Sequence, residues 1–370
     1  MNILVTGGAG FIGSHLVDAL IAQGHQVRVL DVLDAQVHEG KPPTYLNAHA
    51  EYLWGDVRDR NLLRKALAAI DVVFHQAAAV GVGQSMYQIE RYVQANVVGT
   101  SILLDVIVNE RLPIKKLVVA SSMSIYGEGR YHCAACGPVF PALRSETQLK
   151  QRRWEMDCPR CQRPATPEPT PEDKPLAPTS IYAVSKRDQE ELCLCVGRSY
   201  RIPTVALRYF NVYGPRQALS NPYTGVCAIF SARIKNSNPP LIFEDGRQSR
   251  DVMHVSDIVR ANLLVMSDAR ADDQVFNVGT GQPTSILQVA RLLGRLYGAS
   301  VEPVLNQKYR AGDIRHCYAD IQAIRRLGFT PEVTLDEGLK GLVEWGREQA
   351  AEDRVEAAAK ELESYGLTSG

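Results

Sequence analysis

Short apolar runs alternate with amphipathic stretches through the first half of the chain. The run NILV at 2–5 predicts a buried strand. Apolar residues then recur every three or four positions from 12 to 20, which predicts a helix, and Gly24 predicts where that helix ends. A second apolar run, VRVL at 27–30, predicts another buried strand. The chain therefore opens with a strand–helix–strand unit.

The same alternation continues beyond this first unit. Segments 51–59, 71–79 and 116–122 each contain an apolar run of strand length, and the stretch NLLRKALAAI at 61–70 is helical in pattern. Strands that alternate with helices predict a parallel sheet with helices on both faces. We therefore expect an α/β fold with a doubly wound parallel sheet.

Glycines recur where the first strand meets the first helix. Gly7, Gly10 and Gly13 form a G-x-x-G-x-x-G pattern, and Asp31 ends the following strand. Such glycines permit a tight turn and let backbone N–H groups approach a pyrophosphate at the helix N-terminus. An ordinary strand–helix turn can carry similar glycines, but the complete order of strand, turn, helix, strand and acid favours a dinucleotide. Because the Asp31 carboxylate would bind ribose hydroxyls and repel a 2′-phosphate, we expect NAD rather than NADP.

Composition restricts the class of protein further. The 370 residues, 45% of them hydrophobic, suffice for two domains or one two-lobed unit. Lys+Arg and Asp+Glu both number 41, so neither a polyanion nor an anionic membrane surface is expected as the main partner. We find no secretion signal and no apolar run near the roughly 20 residues that span a bilayer. Eight cysteines in such a chain do not form a disulfide scaffold, so we expect a cytoplasmic protein with reduced thiols.

A tyrosine and a lysine lie four residues apart in SIYAVSKRDQEEL at 180–192, a stretch that reads as the start of a helix. Tyr182 and Lys186 therefore share one helix face. An ammonium group beside a phenol lowers the pKa of the phenol from about 10 and prepares it as a general base for a substrate hydroxyl. Ser122, at the end of a buried strand, could bridge the substrate oxygen and Tyr182. The pair alone is common by chance, and the dinucleotide pattern is what favours an active site.

Four cysteines form two CxxC pairs, Cys133 with Cys136 and Cys158 with Cys161, and 21 residues lie between the pairs. This is near the upper end of the spacing in four-cysteine zinc sites, and four thiolates suit a closed, structural tetrahedral Zn²⁺. A short insert has too little core to order itself, and a metal would supply that stability. Disulfides and free or redox-active thiols are the alternatives. Segment 128–175 carries eight Lys+Arg against seven Asp+Glu, so no nucleic-acid role is expected.

Seven motifs occur in the order of a known family: TGGAGFIG, DVRD, HQAAA, ANVVGT, SSMSIYG, YAVSK and LRYFNVYGPRQ. The chain resembles the extended short-chain dehydrogenase/reductases and, more narrowly, the nucleotide-sugar epimerases and dehydratases. The resemblance covers about residues 1–345 apart from the cysteine-containing stretch. It implies a Rossmann-type NAD-binding domain, a smaller C-terminal substrate lobe and, in this chain, a zinc-ribbon-like insertion.

The resemblance also implies roles for the residues that match the motifs. The catalytic residues would be Ser122, Tyr182 and Lys186. The residues that would bind NAD are Gly7, Gly10, Phe11, Ile12, Gly13, Asp31, Asp56, Val57, Ala77, Ala78, Ala79, Asn96, Tyr182, Lys186 and Tyr209. The residues that would bind the substrate are Ser122, Asn211, Phe243, Arg250, Arg310, Asp313 and Cys317. The zinc ligands would be Cys133, Cys136, Cys158 and Cys161.

Within the substrate set, the implied contacts differ. Arg250 and Arg310 match arginines that hold the diphosphate, for which a guanidinium fork is suited. Asp313 matches an aspartate on the nucleoside ribose, and Phe243 is expected against the base. Cys317 matches a position that gates the volume around the sugar, although a buried cysteine acting as a small hydrophobic residue is an equal alternative.

Two positions restrict the reaction. By the same resemblance, 4,6-dehydratases carry an Asp-Glu pair at the two positions directly after the catalytic hydroxyl residue. Related decarboxylases usually carry Glu at the second of these positions. This chain has Met123 and Ser124 there. Reversible hydride transfer at one sugar carbon remains. We therefore favour an NAD-dependent NDP-sugar 4-epimerase, of UDP-hexose or dTDP-6-deoxysugar type. An NAD-dependent NDP-sugar dehydrogenase or keto-sugar reductase is the alternative, and a non-enzymatic NAD-sensing binding module is a more remote one.

The domain organisation follows from these assignments. We expect an NAD-binding domain at 1–127 and 176–207, and a zinc-knuckle insertion at 128–175 that borders the sugar pocket or meets a partner subunit. A nucleotide-sugar lobe is expected at 208–348, from which 251–267 returns to the first domain. Residues 349–370 are expected to form an exposed terminal helix with its tail. Helices over 96–110 and 180–200 resemble those of a four-helix dimer bundle. Their apolar residues fit a homodimer as well as an ordinary core; these are Leu103, Leu104, Ile107, Leu192 and Val196.

Overall fold

The computed structural model describes residues 1–310 and 312–369, with only the backbone described for Ser369. Ala311 and Gly370, which fall within the expected substrate lobe and tail, lie outside the described residues. The strands are β1 (Asn2–Thr6), β2 (Gln26–Asp31), β3 (Glu51–Trp54), β4 (Val72–His75), β5 (Lys116–Ser122), β6 (Arg130–Cys133), β7 (Gly137–Val139), β8 (Thr166–Glu168), β9 (Thr204–Tyr209), β10 (Asn211–Tyr213), β11 (Leu241–Ile242), β12 (Ser249–Arg250), β13 (Val252–His254), β14 (Val275–Val278), β15 (Thr284–Ser285), β16 (Val304–Leu305), β17 (Tyr309–Arg310), β18 (His316–Cys317) and β19 (Thr368–Ser369).

The helices connect these strands, and the longer ones are amphipathic. They are α1 (Phe11–Ala22), α2 (Ala35–His38), α3 (Arg60–Leu67), α4 (Val82–Ser85), α5 (Ile89–Tyr92), α6 (Gly99–Asn109), α7 (Glu146–Lys150), α8 (Ile181–Tyr200), α9 (Val226–Lys235), α10 (Val255–Ser267), α11 (Ile286–Tyr297), α12 (Gln322–Arg325), α13 (Leu335–Glu348) and α14 (Val355–Ser364). A π-helical segment, Val93–Val98, joins α5 to α6, and 3₁₀ turns span Met123–Tyr126 and Ala269–Ala271.

Seven strands form one central sheet in the order β14-β9-β5-β4-β1-β2-β3, and every neighbouring pair is parallel. The chain builds outward from β1 to β3 and then from β4 to β14 on the other side. The point between β1 and β4 is therefore the topological switch point, where doubly wound sheets bind ligands. The expected Rossmann-type doubly wound fold is confirmed.

Both faces of the sheet are covered, because successive strand residues point in opposite directions. Ile3 and Val5 of β1 belong to a core that also contains residues of α1 and α10. Leu4 belongs to a second core, formed with residues of α3, α6 and α8. Burial on both faces explains why these strands are continuously apolar rather than alternating.

The second lobe packs around its own core, which contains residues of α9, α11 and α13. Short strands border this core, including the parallel pair β10–β13 and the group β15-β12-β18. The expected boundary needs correction, because the chain returns to the first domain for longer than 251–267. Strand β14, at Val275–Val278, pairs with β9 and completes the central sheet. Sequence did not reveal this return because β14 is only four residues long.

The insertion forms a separate small module. Strand β6 pairs antiparallel with β7 and with β8, and Tyr131, Val139 and Met156 pack with the four cysteines in a minor core. The module lies against the second lobe: the Glu128 carboxylate accepts from the backbone N–H groups of Arg315 and His316, each at 2.7 Å. It is thus anchored on the substrate lobe.

The expectation of an exposed terminal helix needs a correction, because the helix packs on the rest of the chain although most of its side chains are exposed. In α14 the side chain of Leu362 is buried, and the ring of Tyr365 stacks on Tyr87 of the first domain at 4.6 Å between centroids. The Tyr223 hydroxyl donates to Glu361 at 2.8 Å, and β19 pairs antiparallel with β17. The tail therefore contacts both lobes. The Ala/Glu-rich sequence suggested an exposed helix because only two of its side chains are buried.

One helical stretch, Ile89–Asn109, has the length and composition of a membrane span, with 21 residues and a mean hydropathy of 1.2. The expectation that no stretch approaches spanning length is therefore corrected. In this fold the stretch behaves as a core helix, because the side chains of Asn96 and Thr100 are fully buried and hydrogen-bonded to other elements.

Breaking the ion pair between Arg208 of β9 and Glu190 of α8 should strongly destabilise the fold. Both side chains are buried, and the guanidinium donates twice to the carboxylate, at 2.6 and 3.0 Å. Replacing Glu190→Met leaves an unpaired buried charge, so we expect the free energy of unfolding to fall by about 3–5 kcal/mol in urea titrations. The control is Glu191→Met, whose pair with Arg187 is exposed and should contribute about 0.5 kcal/mol or less. Equal losses in the two variants would contradict the prediction.

Candidate active site

A cavity of about 690 Å³ opens at the carboxyl ends of the central strands. Segments that follow β1, β2, β4, β5 and β9 form its wall, as expected at a switch point. Most residues expected to bind the cofactor line this cavity: Gly7, Gly10, Phe11, Ile12, Gly13, Asp31, Asp56, Val57, Ala77, Ala78, Ala79, Tyr182, Lys186 and Tyr209. Ser122 and Asn211 of the substrate set line it as well.

The glycine turn after β1 has no room for side chains. Gly7 has φ of +71°, a conformation that favours glycine. A Cβ atom on Gly13 would lie 2.2 Å from the Gly7 carbonyl oxygen. The turn therefore keeps backbone N–H groups exposed at the N-terminus of α1, where a pyrophosphate is favoured.

Two carboxylates lie at the β2–β3 side of the cavity. Asp31 accepts from the backbone N–H groups of Ala9 and Leu33 at 2.9 and 2.8 Å, which orients the carboxylate and leaves acceptor capacity for ribose hydroxyls. Asp56 pairs with Arg58 at 2.6 Å, a partner that the sequence did not indicate. Hydrogen bonds from Arg58 lower the pKa of Asp56, against the effect of partial burial.

The catalytic hydroxyls come from two elements that pack against each other. Ser122 ends β5, and Tyr182 lies in the first turn of α8, which Ser180 caps by accepting from the N–H of Ala183 at 3.1 Å. Burial raises the pKa of the Tyr182 phenol, and the neighbouring Ser122 hydroxyl lowers it, to a smaller extent. Both side chains lie on the wall of the same cavity.

Lys186 lies on the same face of α8, but it does not lower the pKa of Tyr182 in this structure. Its ammonium donates to the carbonyl of Ala120 and to the side-chain oxygen of Gln189. Burial lowers the pKa of Lys186 to about 7, while Cys193 and Glu190 act in the opposite direction. The sequence placed the two residues one helical turn apart, but the acceptors that hold the ammonium come from β5 and from the next turn of α8.

Asn96 does not line the cavity but supports its wall. Its side chain accepts from the N–H of Ala79 at 2.7 Å and donates to the carbonyl of Ala79 and to the hydroxyl of Ser185. Asn96 therefore links the backbone after β4, which lines the expected cofactor site, to Ser185, the residue before Lys186. Asn96 was expected among the residues that bind NAD, and this position corrects that expectation to a support of the cavity wall. The π-helical segment that carries Asn96 is a type of distortion frequently found at functional sites.

Asn211 is the substrate residue with the clearest position in the cavity. Its side-chain oxygen is buried and, within the described part of the chain, has no hydrogen-bond partner. Gln217, which the sequence analysis missed, also lines the cavity with a buried side-chain oxygen that is unpartnered among the described residues. Such orphaned acceptors require partners, so this part of the cavity suits a ligand rich in hydroxyl groups. Gln217 is the last residue of the motif LRYFNVYGPRQ, so its place in that motif was the signal that could have found it.

Other expected substrate residues form a second group outside the cavity lining. The Arg310 guanidinium lies 4.7 Å from the centre of the Phe243 ring and pairs with Asp313 at 2.8 Å. Arg250 donates to the backbone carbonyls of Ser249, Ile314 and Arg315.

Cys317 requires a correction. It is fully buried, with its thiol 3.7 Å from the Thr170 hydroxyl, and it belongs to the core that includes α1 and α10. The structure therefore favours the buried hydrophobic role over a wall of the sugar pocket. Spacing from Asp313 could not reveal this, since the burial arises from packing against the end of the insertion.

The four Sγ atoms of Cys133, Cys136, Cys158 and Cys161 all lie within 4.8 Å of one another. Those of Cys133 and Cys161 are 3.5 Å apart, too far for a disulfide of about 2.05 Å. Sulfurs about 2.3 Å from a tetrahedral zinc would be separated by about 3.8 Å. The N–H of Arg160 donates to the Cys158 sulfur at 3.4 Å. The thiols are thus unbonded to one another, and their arrangement fits a four-thiolate metal site.

Comparison with known proteins agrees with this architecture. The profile of the NAD dependent epimerase/dehydratase family matches residues 3–148 and 158–279. The chain is 34% identical over 349 residues to dTDP-L-rhamnose 4-epimerase of Burkholderia thailandensis, a match that covers 93% of this chain and 94% of that protein.

Two solved structures share the fold over most of their length. UDP-glucose 4-epimerase of Thermotoga maritima with UDP-glucose is 34% identical, with a TM-score of 0.76 over 94% of this chain and 99% of that one. UDP-glucuronic acid 4-epimerase of Bacillus cereus, in complex with UDP-glucuronic acid and NAD, is 28% identical, with a TM-score of 0.77 over 94% and 99%. With the sheet, the glycine turn and the matched profile, these likenesses show that the chain belongs to the NAD dependent epimerase/dehydratase family.

Proposed function

We propose that this protein is an NAD-dependent NDP-sugar 4-epimerase. The observation that carries the proposal is the position of Ser122 and Tyr182 on the wall of the cavity that also contains the glycine turn. The dTDP-L-rhamnose and UDP-sugar 4-epimerases to which the chain is similar support this function. The substrate class is then a UDP- or dTDP-linked sugar.

The protein's own residues would hold the sugar and move its proton. Tyr182 would accept the proton of the sugar hydroxyl and later return it, while Ser122 would hold the same oxygen. Bound NAD would accept and return the hydrogen of carbon 4, so that the sugar passes through a 4-keto form, and its positive nicotinamide would favour the Tyr182 phenolate. Asn211 and Gln217 would offer acceptors to sugar hydroxyls. The sugar would have to turn between the two transfers, which requires that its nucleotide end be held more firmly than its ring.

The cavity wall disfavours dehydration and decarboxylation. Met123 and Ser124 follow the catalytic serine, and the Ser124 hydroxyl donates to that of Ser122 at 2.9 Å. The carboxylates that line the cavity are Asp31, Asp34 and Asp56. They follow β2 and β3, away from β5, so they are placed for the adenosine end rather than for proton transfer at the sugar.

The epimerase proposal is tested by NMR of UDP- and dTDP-sugars incubated with the enzyme without added NAD. We expect the 4-epimer to form, and in D₂O carbon 4 should keep its original hydrogen, because that hydrogen passes through bound cofactor rather than solvent. Tyr182→Phe should lower kcat about 10²–10⁴-fold and retain NAD. The control, Tyr200→Phe, removes an exposed phenol from the same helix. Net accumulation of NADH would instead favour the dehydrogenase, and the absence of turnover of any NDP-sugar would favour the binding module. Full epimerase activity of Tyr182→Phe would contradict the role of Tyr182 as the base.

We propose further that Cys133, Cys136, Cys158 and Cys161 hold a structural Zn²⁺. The mutual distances of their sulfurs support this, and the module's minor core is too small to order it alone. Four protein thiolates leave no open position, so the ion would have no part in catalysis.

The zinc proposal predicts about one zinc per wild-type chain in elemental analysis. Cys158→Ser should lose that zinc and lower the thermal midpoint, because one ligand of the tetrahedron is removed. Cys195→Ser is the control, since Cys195 is exposed on α8 and remote in sequence from both CxxC pairs. Substoichiometric zinc in the wild type, together with intact folding of Cys158→Ser, would contradict the proposal.

We also propose a homodimer through the helical stretches at 89–109 and 181–200. Three of the five residues first considered for this face do not support it, because Leu103, Leu104 and Ile107 are buried in the chain's own core. The other two, Leu192 and Val196, are half-buried. The exposed apolar side chains of the two stretches are Ile89, Val93 and Val184, at 50, 38 and 41% exposure. Their exposure on helices that pack together supports a subunit interface there.

The dimer proposal predicts that Val93→Glu with Val184→Glu gives a monomer in sedimentation equilibrium, because two-fold symmetry places each new charge in the interface twice. Val304→Glu, which changes an equally exposed valine of the second lobe, should leave the dimer intact. A monomeric wild type, or an undisturbed dimer of the double variant, would count against the proposal.

A cytoplasmic location, without nucleic-acid or membrane partners, completes the proposal. The equal numbers of acidic and basic residues and the free state of all eight cysteines support it.

A further inference from the structure

A buried arginine of the insertion contacts the substrate lobe directly. Arg144 donates from both terminal nitrogens to the two carboxylate oxygens of Glu244, at 2.8 and 2.9 Å. The side chains are only 1 and 4% exposed. This two-point contact, termed here the Arg144–Glu244 clamp, has a defined geometry that a single hydrogen bond would not impose.

Glu244 needs such a restraint because its backbone is unusual. Its φ is +56°, in the left-handed region that disfavours residues with a Cβ, and its side chain is nevertheless buried. A glycine would relieve this strain, so the glutamate is explained by what its side chain binds. Glu244 directly follows Phe243, and its N–H donates to the carbonyl of Lys308 at 2.8 Å. The clamp therefore fixes the loop that presents the Phe243 ring.

The Arg144 guanidinium also contacts the loop that carries Asp313. Arg144 also donates to the backbone carbonyl of Asp313 at 3.3 Å. Asp313 pairs with Arg310, which lies over the Phe243 ring. One side chain of the insertion thus touches both loops that form the group of Phe243, Arg310 and Asp313.

A second buried arginine belongs to the same cluster of charges. Arg315, with no exposed side-chain surface, binds Glu244 and Asp245 from one nitrogen, at 2.9 and 2.7 Å, and Glu155 of the insertion from its Nε at 3.2 Å. Two guanidinium groups therefore face three carboxylates. Buried ion pairs of this kind contribute little net stability but strongly disfavour alternative arrangements. Their value here is geometric.

We propose that Arg144 is a positioning residue for the nucleoside diphosphate of the substrate, and that the insertion serves to hold this residue in place. The inference rests on the proposed function, because it assigns the group of Phe243, Arg310 and Asp313 to the nucleotide end of an NDP-sugar. The insertion then determines nucleotide affinity without touching the reacting carbon. Its four cysteines order the module from which the clamp extends.

Binding of UDP and of dTDP to the NAD-loaded enzyme, measured by calorimetry, tests the proposal without relying on turnover. Arg144→Lys keeps the charge but loses the two-point contact, so we expect about tenfold weaker binding of the preferred nucleotide and a KM for its sugar raised about as much. The value of kcat and the content of NAD should stay within about twofold. A merely structural role would change the thermal midpoint instead.

The control is Arg130→Lys. It alters the ion pair of Arg130 with Glu168 inside the insertion, and this pair does not contact the loops that carry Phe243 and Asp313. It should leave nucleotide affinity unchanged. If Arg144→Lys does not fold, Glu244→Asp provides the second variant, because it shortens the carboxylate and breaks the same clamp; the same loss of affinity is expected. Unchanged affinity in the folded clamp variant, or an equal loss in Arg130→Lys, overturns the proposal. If the wild type binds nucleotide but epimerises no NDP-sugar, the proposed function fails while the clamp remains measurable.

Discussion

The parallel pairing of β1 with β4 and of β4 with β5 is the constraint on which the site depends. Parallel neighbours end at one edge of the sheet, so the glycine turn, the small residues after β4 and Ser122 must lie side by side. Helix α8 packs against β5 and brings Tyr182 and Lys186 to the same edge. The cofactor site and the catalytic hydroxyls are therefore two consequences of one sheet order.

The buried cationic side chains have two kinds of surroundings. Lys186 is surrounded by neutral acceptors, and burial lowers its pKa to about 7, so its charge can respond to what binds beside it. Arg144 and Arg315 are instead paired with carboxylates. A guanidinium does not lose its proton in proteins, so those contacts keep their geometry throughout a catalytic cycle. The surroundings of Lys186 therefore suit a chemical role, and those of the two arginines suit a positioning role.

Local pattern predicted the parts of the molecule in which neighbours along the chain decide the outcome. The β1–α1–β2 unit, the helix that carries Tyr182, and the gathering of the four cysteines followed from spacing alone. Spacing along the chain did not predict features that depend on a partner far away in sequence. The burial of Cys317 depends on the end of the insertion, and the packing of α14 depends on Tyr87 in the first domain. Such partners lie far away in sequence and leave no periodic signal.

The sequence by itself determined the fold class and the glycine turn after β1, because backbone sterics and helical period act over a few residues. Its motifs indicated the candidate catalytic set through resemblance to a family. The tertiary structure alone decided what each group faces. It showed Lys186 bound to a carbonyl of β5, Asn96 holding the wall rather than lining it, and the insertion gripping the substrate lobe through Arg144. The physical reason is that burial and charge pairing are properties of surroundings, and those surroundings exist only once distant segments have packed.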